Sequence, residues 1–293
     1  MQSEQKIVLS ASRRTDIPAF YMDWFMEGIA SGAFDVIHPY TRRVTRVPAT
    51  PDRVHTVVFW SKNFGPFLAG NYGEKLIEKG LHLYFSFTIN SESTLLEPNL
   101  PPLTDRLAQL HSLSRRFGPA CIDWRFDPIC FFRVKDGRLQ DNLKDFPRIS
   151  DAAAALGIKR CITSFNDIYG KVRKRKKPVE GFVFVDPLPA EKRERILALN
   201  QSLGSKDIRL RLCCEKEVLD SLPEEAGVRK SACIPSRRLK ALYGGNISLE
   251  SDRGQRVKAG CGCRKSIDIG SYDLHPCAHN CLFCYANPRE IRS

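Results

Sequence analysis

Short apolar, β-branched runs alternate with amphipathic stretches of helical length along most of this 293-residue chain. Strand signals fall at residues 7–10, 34–39, 54–60, 81–89, 120–126, 158–165, 182–185 and 208–213. Helical periodicity covers 20–29, 66–80, 103–117, 145–156 and 190–203, and residues 41–47 read as a hairpin excursion. Strands separated by helices cannot be joined by tight turns, so they pair in parallel through βαβ crossovers. The pattern therefore predicts an α/β fold, a complete or partial (β/α) TIM-type barrel. A doubly wound open sheet is the alternative, because alternation does not specify closure. We expect residues 1–230 to form the barrel and residues 231–293 to form a cysteine-rich, cluster-binding segment packed on it.

In such barrels the active site is built from the C-terminal ends of the strands. Several strands here end in polar clusters: Ser10-Ala-Ser-Arg-Arg-Thr-Asp-Ile-Pro18, Ser61-Lys62-Asn63, Thr88 with Asn90, Arg125-Phe-Asp-Pro128, Phe165-Asn-Asp167 and Cys214-Glu215. Strand ends are commonly polar because loops are wet, and Asp-Pro often opens a turn. As a group the clusters have a second reading. Arg13, Arg14, Lys62 and Arg125 can bind carboxylates or phosphates. Asp16 and Asp127 can orient those cations or bond a ribose hydroxyl.

The formal net charge of +13 favours anionic partners. A small-molecule or anionic substrate fits, and nucleic acid is a lesser candidate. The densest basic run, Lys171-Val-Arg-Lys-Arg-Lys-Lys177, reads first as a solvated helix face or loop and only second as a nucleic-acid patch. It has no interleaved aromatic residues for stacking bases. No apolar run approaches the ~20 residues of a membrane span. The N-terminus runs into a strand without a signal-peptide core. A cytoplasmic location without membrane contact is expected.

The chain has 11 cysteines, crowded toward its C-terminal third. In a reducing compartment a disulfide framework is not expected. Cys121, Cys130 and Cys161 stand singly in apolar surroundings and read as core thiols. The segment Cys277-Ala-His-Asn-Cys281-Leu-Phe-Cys284-Tyr285 is different: three thiolates on one short loop can each hold one iron of a 4Fe–4S cluster, leaving the fourth open. The alternative is zinc, with Cys281 and Cys284 completed by Cys261 and Cys263 or by His279. Cys213, Cys233, Cys261 and Cys263 form a second set, suited to a second 4Fe–4S cluster or a structural zinc. Spacing does not choose between Cys213 and Cys214; Cys213 is preferred.

The triplet, with Phe283 immediately before its third cysteine, resembles the motif of the radical S-adenosylmethionine (SAM) superfamily, which normally follows the first barrel strand. Residues 266–270 would then be the strand feeding the triplet, so the arrangement looks circularly permuted. Across nearly its whole length the chain also resembles an uncharacterised prokaryotic family with a C-terminal radical-SAM-like cysteine cluster. The matching segments are Ser12-Arg-Arg-Thr-Asp-Ile-Pro18, Phe59-Trp-Ser-Lys-Asn63, Trp124-Arg-Phe-Asp-Pro128, Cys261-Gly-Cys263 and residues 277–286.

The superfamily resemblance implies a 4Fe–4S cluster on Cys277, Cys281 and Cys284, with SAM chelating the open iron. Reductive cleavage of SAM would give a radical that abstracts a substrate hydrogen. A reductant such as flavodoxin or ferredoxin would supply the electron. Arg13, Arg14, Asp16, Lys62, Arg125 and Asp127 would contact SAM or substrate, and Phe283 and Tyr285 would pack against cluster and adenine. The superfamily's Gly-Gly-Glu motif has no good counterpart; Gly244-Gly-Asn is the nearest string. From a different class, a non-catalytic iron–sulfur or zinc protein could bind nucleic acid through the basic surface. Radical SAM modification of nucleic acid would join the charge to the cluster.

Overall fold

The computed structural model describes residues 4–135, 137–175 and 179–286. Strand β1 (Ile7–Ala11) leads through α1 (Ile17–Phe20) and α2 (Met22–Ser31) to the hairpin β2 (Ala33–Ile37) and β3 (Val44–Pro48). Next come β4 (Val54–Ser61), α3 (Gly65–Ala69), α4 (Tyr72–Glu78), β5 (His82–Thr88), α5 (Leu103–Phe117) and β6 (Ile122–Ile129). After β7 (Phe131–Arg133) and β8 (Leu139–Asp141) the chain forms α6 (Phe146–Ala155), β9 (Arg160–Phe165), α7 (Gly170–Lys174) and β10 (Val183–Val185). It then continues with α8 (Pro189–Gly204), β11 (Arg209–Leu212), α9 (Lys216–Ser221), β12 (Arg229–Lys230), α10 (Ser236–Tyr243) and β13 (Ile267–Asp268).

Eight strands form one sheet in the order β12-β11-β9-β6-β5-β4-β1-β13, and every neighbouring pair is parallel. From β1 the spatial order follows the chain order without reversal, and β13 joins on the free side of β1. The doubly wound alternative does not match, since that topology reverses its strand order at a switch point. The outer strands β12 and β13 are not paired with each other. Loop backbone joins this gap: Gly262 N–H donates to the Ser231 carbonyl at 3.0 Å and Arg264 N–H to the Ile234 carbonyl at 3.2 Å.

The central strands are buried along nearly their whole length, as parallel strands covered on both faces must be. Phe59, Phe64, Phe67 and Phe85 meet edge to face where α3 packs on β4 and β5, with ring centroids 5.1–5.7 Å apart. Ile234, Leu239, Ile247, Cys261, Cys263 and Ile269 lie in the same apolar core as Leu9 and Phe59. Residues 234–269 thus share the core of the preceding chain, while Cys281, Leu282 and Phe283 lie in a second apolar cluster with Leu96 and Phe132. No helix among the described residues is long and apolar enough to cross a membrane.

Three expectations change. The helix over 66–80 is two helices, broken where Asn71 takes φ +50°. Residues 34–39 contribute β2 to a hairpin outside the large sheet. Residues 182–185 form β10, antiparallel to β7, and not a βαβ strand. Val183 stands 51% exposed there, a one-sided burial that the interior of the parallel sheet does not allow. The short strand expected within 266–270 is β13, parallel to β1.

Candidate functional site

One carboxylate ties the ends of β1 and β13 together. Asp268 accepts from Ser10 Oγ at 2.9 Å, Ser12 Oγ at 2.7 Å and the Arg13 backbone N–H at 2.7 Å. Arg13 Nη2 donates to Ser266 Oγ at 3.0 Å, and Arg14 Nη1 to the Gly270 carbonyl at 3.0 Å. The two arginines therefore anchor the approach to the cysteine triplet as well as lying at a strand end.

The triplet loop sits over the C-terminal ends of β1, β4 and β5. Asp16 Oδ1 caps α1 by accepting from Ala19 N–H at 3.1 Å. Its Oδ2 accepts from Lys62 N–H at 2.8 Å and His279 Nε2 at 2.8 Å, so His279 of the triplet loop is tied to two strand ends. Lys62 Nζ donates to Glu97 Oε1 at 2.5 Å and lies 5.2 Å from the centre of the Phe283 ring. Cys281 Sγ approaches the same Glu97 oxygen at 3.8 Å, and Asn90 Nδ2 reaches it at 3.3 Å. Glu97 is 5% exposed. From the other side Arg175 donates to the carbonyls of Cys281 and Cys284 and to Asn280 Oδ1 at 2.7 Å.

Cys277, Cys281 and Cys284 lie within electrostatic reach of one another. Burial pushes the Cys277 thiol up to about 12 and raises Cys281 well above its ordinary value. Cys284 is raised by the same desolvation. A metal centre here would have to supply the positive charge that makes these buried thiols thiolates. Three thiols on one loop, Cys281 buried and Cys277 and Cys284 half-buried, braced by Asp16, Glu97 and Arg175, are a suitable donor set for a cluster.

On the far side, β6 delivers Arg125 and Asp127. Arg125 Nη1 donates to Cys233 Sγ at 3.0 Å, and Nη2 to the Asp127 carboxylate. Ser164 of β9 also donates to Asp127, while Asp127 N–H donates to Asn90 Oδ1 at 2.8 Å. Burial alone would raise the Asp127 carboxyl, but the Arg125 charge and these hydrogen bonds hold it below its usual range. Polar groups, all buried except the half-buried Asp127, thus run from Cys233 through Arg125, Asp127, Asn90 and Glu97 to Cys281.

All four cysteines of the second set come together, and Cys214 joins them. Cys213 Sγ lies 3.5 Å from Cys233 Sγ and 3.9 Å from Cys214 Sγ. Cys214 also lies within electrostatic reach of Cys261, Cys261 of Cys263, and Cys263 of Cys233. Among the described residues no three His, Cys, Asp or Glu side chains converge on one point as single-ion coordination requires. Cys121, Cys130 and Cys161 are buried as expected, but Cys130 shares an apolar cluster with Cys281 and Cys284 of the triplet.

Between the cysteine groups lies Trp60, with the Arg13 guanidinium 5.7 Å and the Arg125 guanidinium 5.3 Å from its ring centre. Arg13 Nε, Thr15 Oγ1, Trp60 Nε1, Asn166 Nδ2, Ser231 Oγ and His279 Nδ1 are buried without a hydrogen-bond partner. These six lie at this end of the sheet, while Ser86 Oγ, Asp123 Oδ1, Arg160 Nε, Arg211 Nε, Ser236 Oγ and Arg238 Nε are likewise unpartnered away from it. Buried unpaired polar atoms are uncommon in native proteins and are expected where a ligand completes them. A cleft of about 290 Å³ opens nearby, lined by Glu215, Lys230 and Gly260 among others.

Tyr285 is 45% exposed and reaches the Arg13 carbonyl through its hydroxyl at 3.4 Å, whereas Phe283 is buried with Leu96 and Phe182. Gly244-Gly-Asn lies at the opposite end of the strands: Asn246 accepts from Lys6 N–H at 2.9 Å, and the Gly244 carbonyl meets His55 Nε2 at 2.9 Å. It cannot serve a ligand at the triplet. The basic run is not simply solvated, since Arg175 holds the triplet loop; Lys176 and Lys177 lie outside the described residues.

Sequence reasoning passed over Glu97, Trp60, Asp268 and Arg175. Asp268 carried a signal, an acidic residue between Ile267 and Ile269 in a strand. Glu97 carried none, because it lies in a loop with no periodicity.

A family model described as a domain of unknown function, DUF1848, matches residues 8–286. The chain belongs to the DUF1848 family. The match spans every group just described, from the end of β1 to Cys284. No curated protein matches the DUF1848 chain. Among solved structures, a D-hydantoinase is similar at 12% identity and TM-score 0.34 over 73% of this chain and 50% of that one. Pyruvate carboxylase of Rhizobium etli is similar at 13% identity and TM-score 0.34, over 94% of this chain and 24% of that one. A xylose isomerase-like TIM barrel protein from Mycobacterium smegmatis, in complex with magnesium, gives 15% identity and TM-score 0.25 over 69% and 52%. The DUF1848 chain spans about half or less of each of these chains.

Proposed function

We propose that this DUF1848 protein is a radical SAM-type enzyme with a barrel-like α/β scaffold, a 4Fe–4S cluster on Cys277, Cys281 and Cys284, and a small anionic substrate. One observation carries the reading. The loop that carries the three thiols meets the ends of β1 and β4, where Arg13, Thr15 and Trp60 hold buried polar atoms without partners. A cluster with one open iron, when bound with SAM, supplies one-electron cleavage of the sulfonium and a radical able to abstract hydrogen.

The chain's own residues do the rest. Asp16, through His279, and Arg175, through two loop carbonyls, fix the loop that carries the thiols. Lys62 offsets the negative charge of Glu97 and of ionised Cys281. Arg13 and Arg125, on either side of Trp60, make the centre of the site cationic, which suits a carboxylate or phosphate. Burial of the groups around Cys281 excludes water from a reactive intermediate.

The test is anaerobic reconstitution with iron and sulfide, then reduction in the presence of SAM. The expected product is 5′-deoxyadenosine, absent from Cys281→Ala. A colourless protein that keeps stoichiometric zinc and leaves SAM intact would sink the reading.

A further inference from the structure

The face of the large sheet turned away from α6 gathers arginines in its N-terminal half. Side chains alternate between the two faces along a strand. Trp124 packs on Phe146 of α6, so Asp123 beside it points to the other face, level with Ser86 of β5. Asp123 Oδ1 lies 3.2 Å from Arg160 Nε of β9, outside hydrogen-bond alignment, and Arg160 Nη1 donates to the Tyr84 hydroxyl at 3.3 Å. Arg160 is level with Arg209 of β11, and Arg211, on the same face as Arg209, is level with Arg229 of β12. Arg238 of α10 reaches the start of β6, where its Nη2 donates to the Ala120 carbonyl at 2.5 Å.

Asp123 and Arg160 are buried, at 1% and 7% exposure. Arg160 Nε, Arg211 Nε, Arg238 Nε and Ser86 Oγ are buried donors without an acceptor. Among the described residues one carboxylate, Asp123, stands within electrostatic reach of all three guanidiniums. Nearer the triplet the buried cations are matched, Arg125 by Asp127 and Lys62 by Glu97. Buried charges without a counter-charge are costly, and guanidinium donors in excess of carboxylate acceptors are what an oxyanion completes.

We propose that Arg160, Arg211 and Arg238 form a second anion site, apart from the strand ends at the triplet, that takes a phosphate group, either inorganic phosphate or a phosphate monoester. A dianion balances the charge left over once Asp123 has paired with one of the three guanidiniums, which a single carboxylate ligand does not. The planar forks of arginine suit its tetrahedral oxygens. Arg211 is half-buried, and Arg209 and Arg229 on the same face are exposed, so the site opens to solvent on the side of β11 and β12. Burial, with the charges of Arg160 and Arg209, holds the Arg211 guanidinium below its ordinary pKa, a penalty that a bound anion relieves. The inference does not rest on a cluster or SAM at the triplet.

The deciding experiment titrates full-length protein with inorganic phosphate and, separately, with glycerol 3-phosphate, by calorimetry, against sodium chloride at matched ionic strength. Saturable binding is expected, weakened at least about tenfold in Arg211→Gln, which removes a charge-assisted donor, and retained in Arg13→Gln. If Arg211→Gln does not fold, Arg211→Lys takes its place; it keeps the charge, loses the fork and should also bind more weakly. Tighter binding of the ester assigns the site to a phosphorylated molecule, and tighter binding of inorganic phosphate assigns it to the free ion. No saturation beyond the effect of ionic strength, binding unchanged in the Arg211 variant, or binding lost only in Arg13→Gln overturns the proposal.

Discussion

Asp16 shows how much one side chain does at this site. Its carboxylate caps α1, accepts the Lys62 backbone N–H and holds His279 of the triplet loop. Asp16→Ala removes a cap worth about 1 kcal/mol. It also leaves buried donors unsatisfied, at about 1–3 kcal/mol each. We expect the urea midpoint to fall by an amount matching at least the cap, with the slope unchanged, and cluster occupancy to fall with it. An unchanged midpoint would show that the loop is held elsewhere. The sequence marked Asp16, Lys62, Arg125 and Asp127 by position, as polar residues just past apolar strands. It did not show their pairings, because Lys62 meets Glu97 across 35 residues and Arg125 meets Cys233 across 108. Side-chain direction at that separation is set by packing.

Among the elements, the long buried strands were legible from the residues, whereas β12 was missed and β13 was expected within 266–270 only through the superfamily resemblance. β4 and β5 announce themselves through largely apolar runs, and β6 through the alternation of Ile122, Trp124 and Phe126 with Asp123 and Arg125. β12 and β13 have two residues each, too few for periodicity, yet they flank the gap in the sheet. Gly262 is the residue that lets the chain bridge that gap. A Cβ placed there would lie 2.3 Å from the Ser231 carbonyl oxygen, a backbone atom that can move only if the strand end moves. Gly262→Ala should therefore cost about 1–3 kcal/mol as overpacking and displace Cys261 and Cys263 from the other thiols. Thermal unfolding checks this. Unchanged stability would mean that the contact yields easily.

At the scale of the molecule, the cysteine-rich segment completes the fold. β13 covers the free edge of β1, Asp268 binds three groups at the end of β1, and Ile234, Leu239, Ile247 and Ile269 lie in the main core. A chain ending at residue 230 should therefore lack a cooperative thermal transition and aggregate, since it exposes an unpaired strand and the apolar surface those residues cover. A soluble, cooperatively folding fragment would show instead that the remaining strands form an independent unit. Strand–helix alternation, the parallel sheet and the cysteine spacing could be read from the chain alone, because each depends on residues a few positions apart. The sequential strand order with β13 beside β1, the fifth thiol, and the buried polar path between the two cysteine groups could not. They arise from segments tens to hundreds of residues apart, and only the packing of the whole sheet brings those segments to one end.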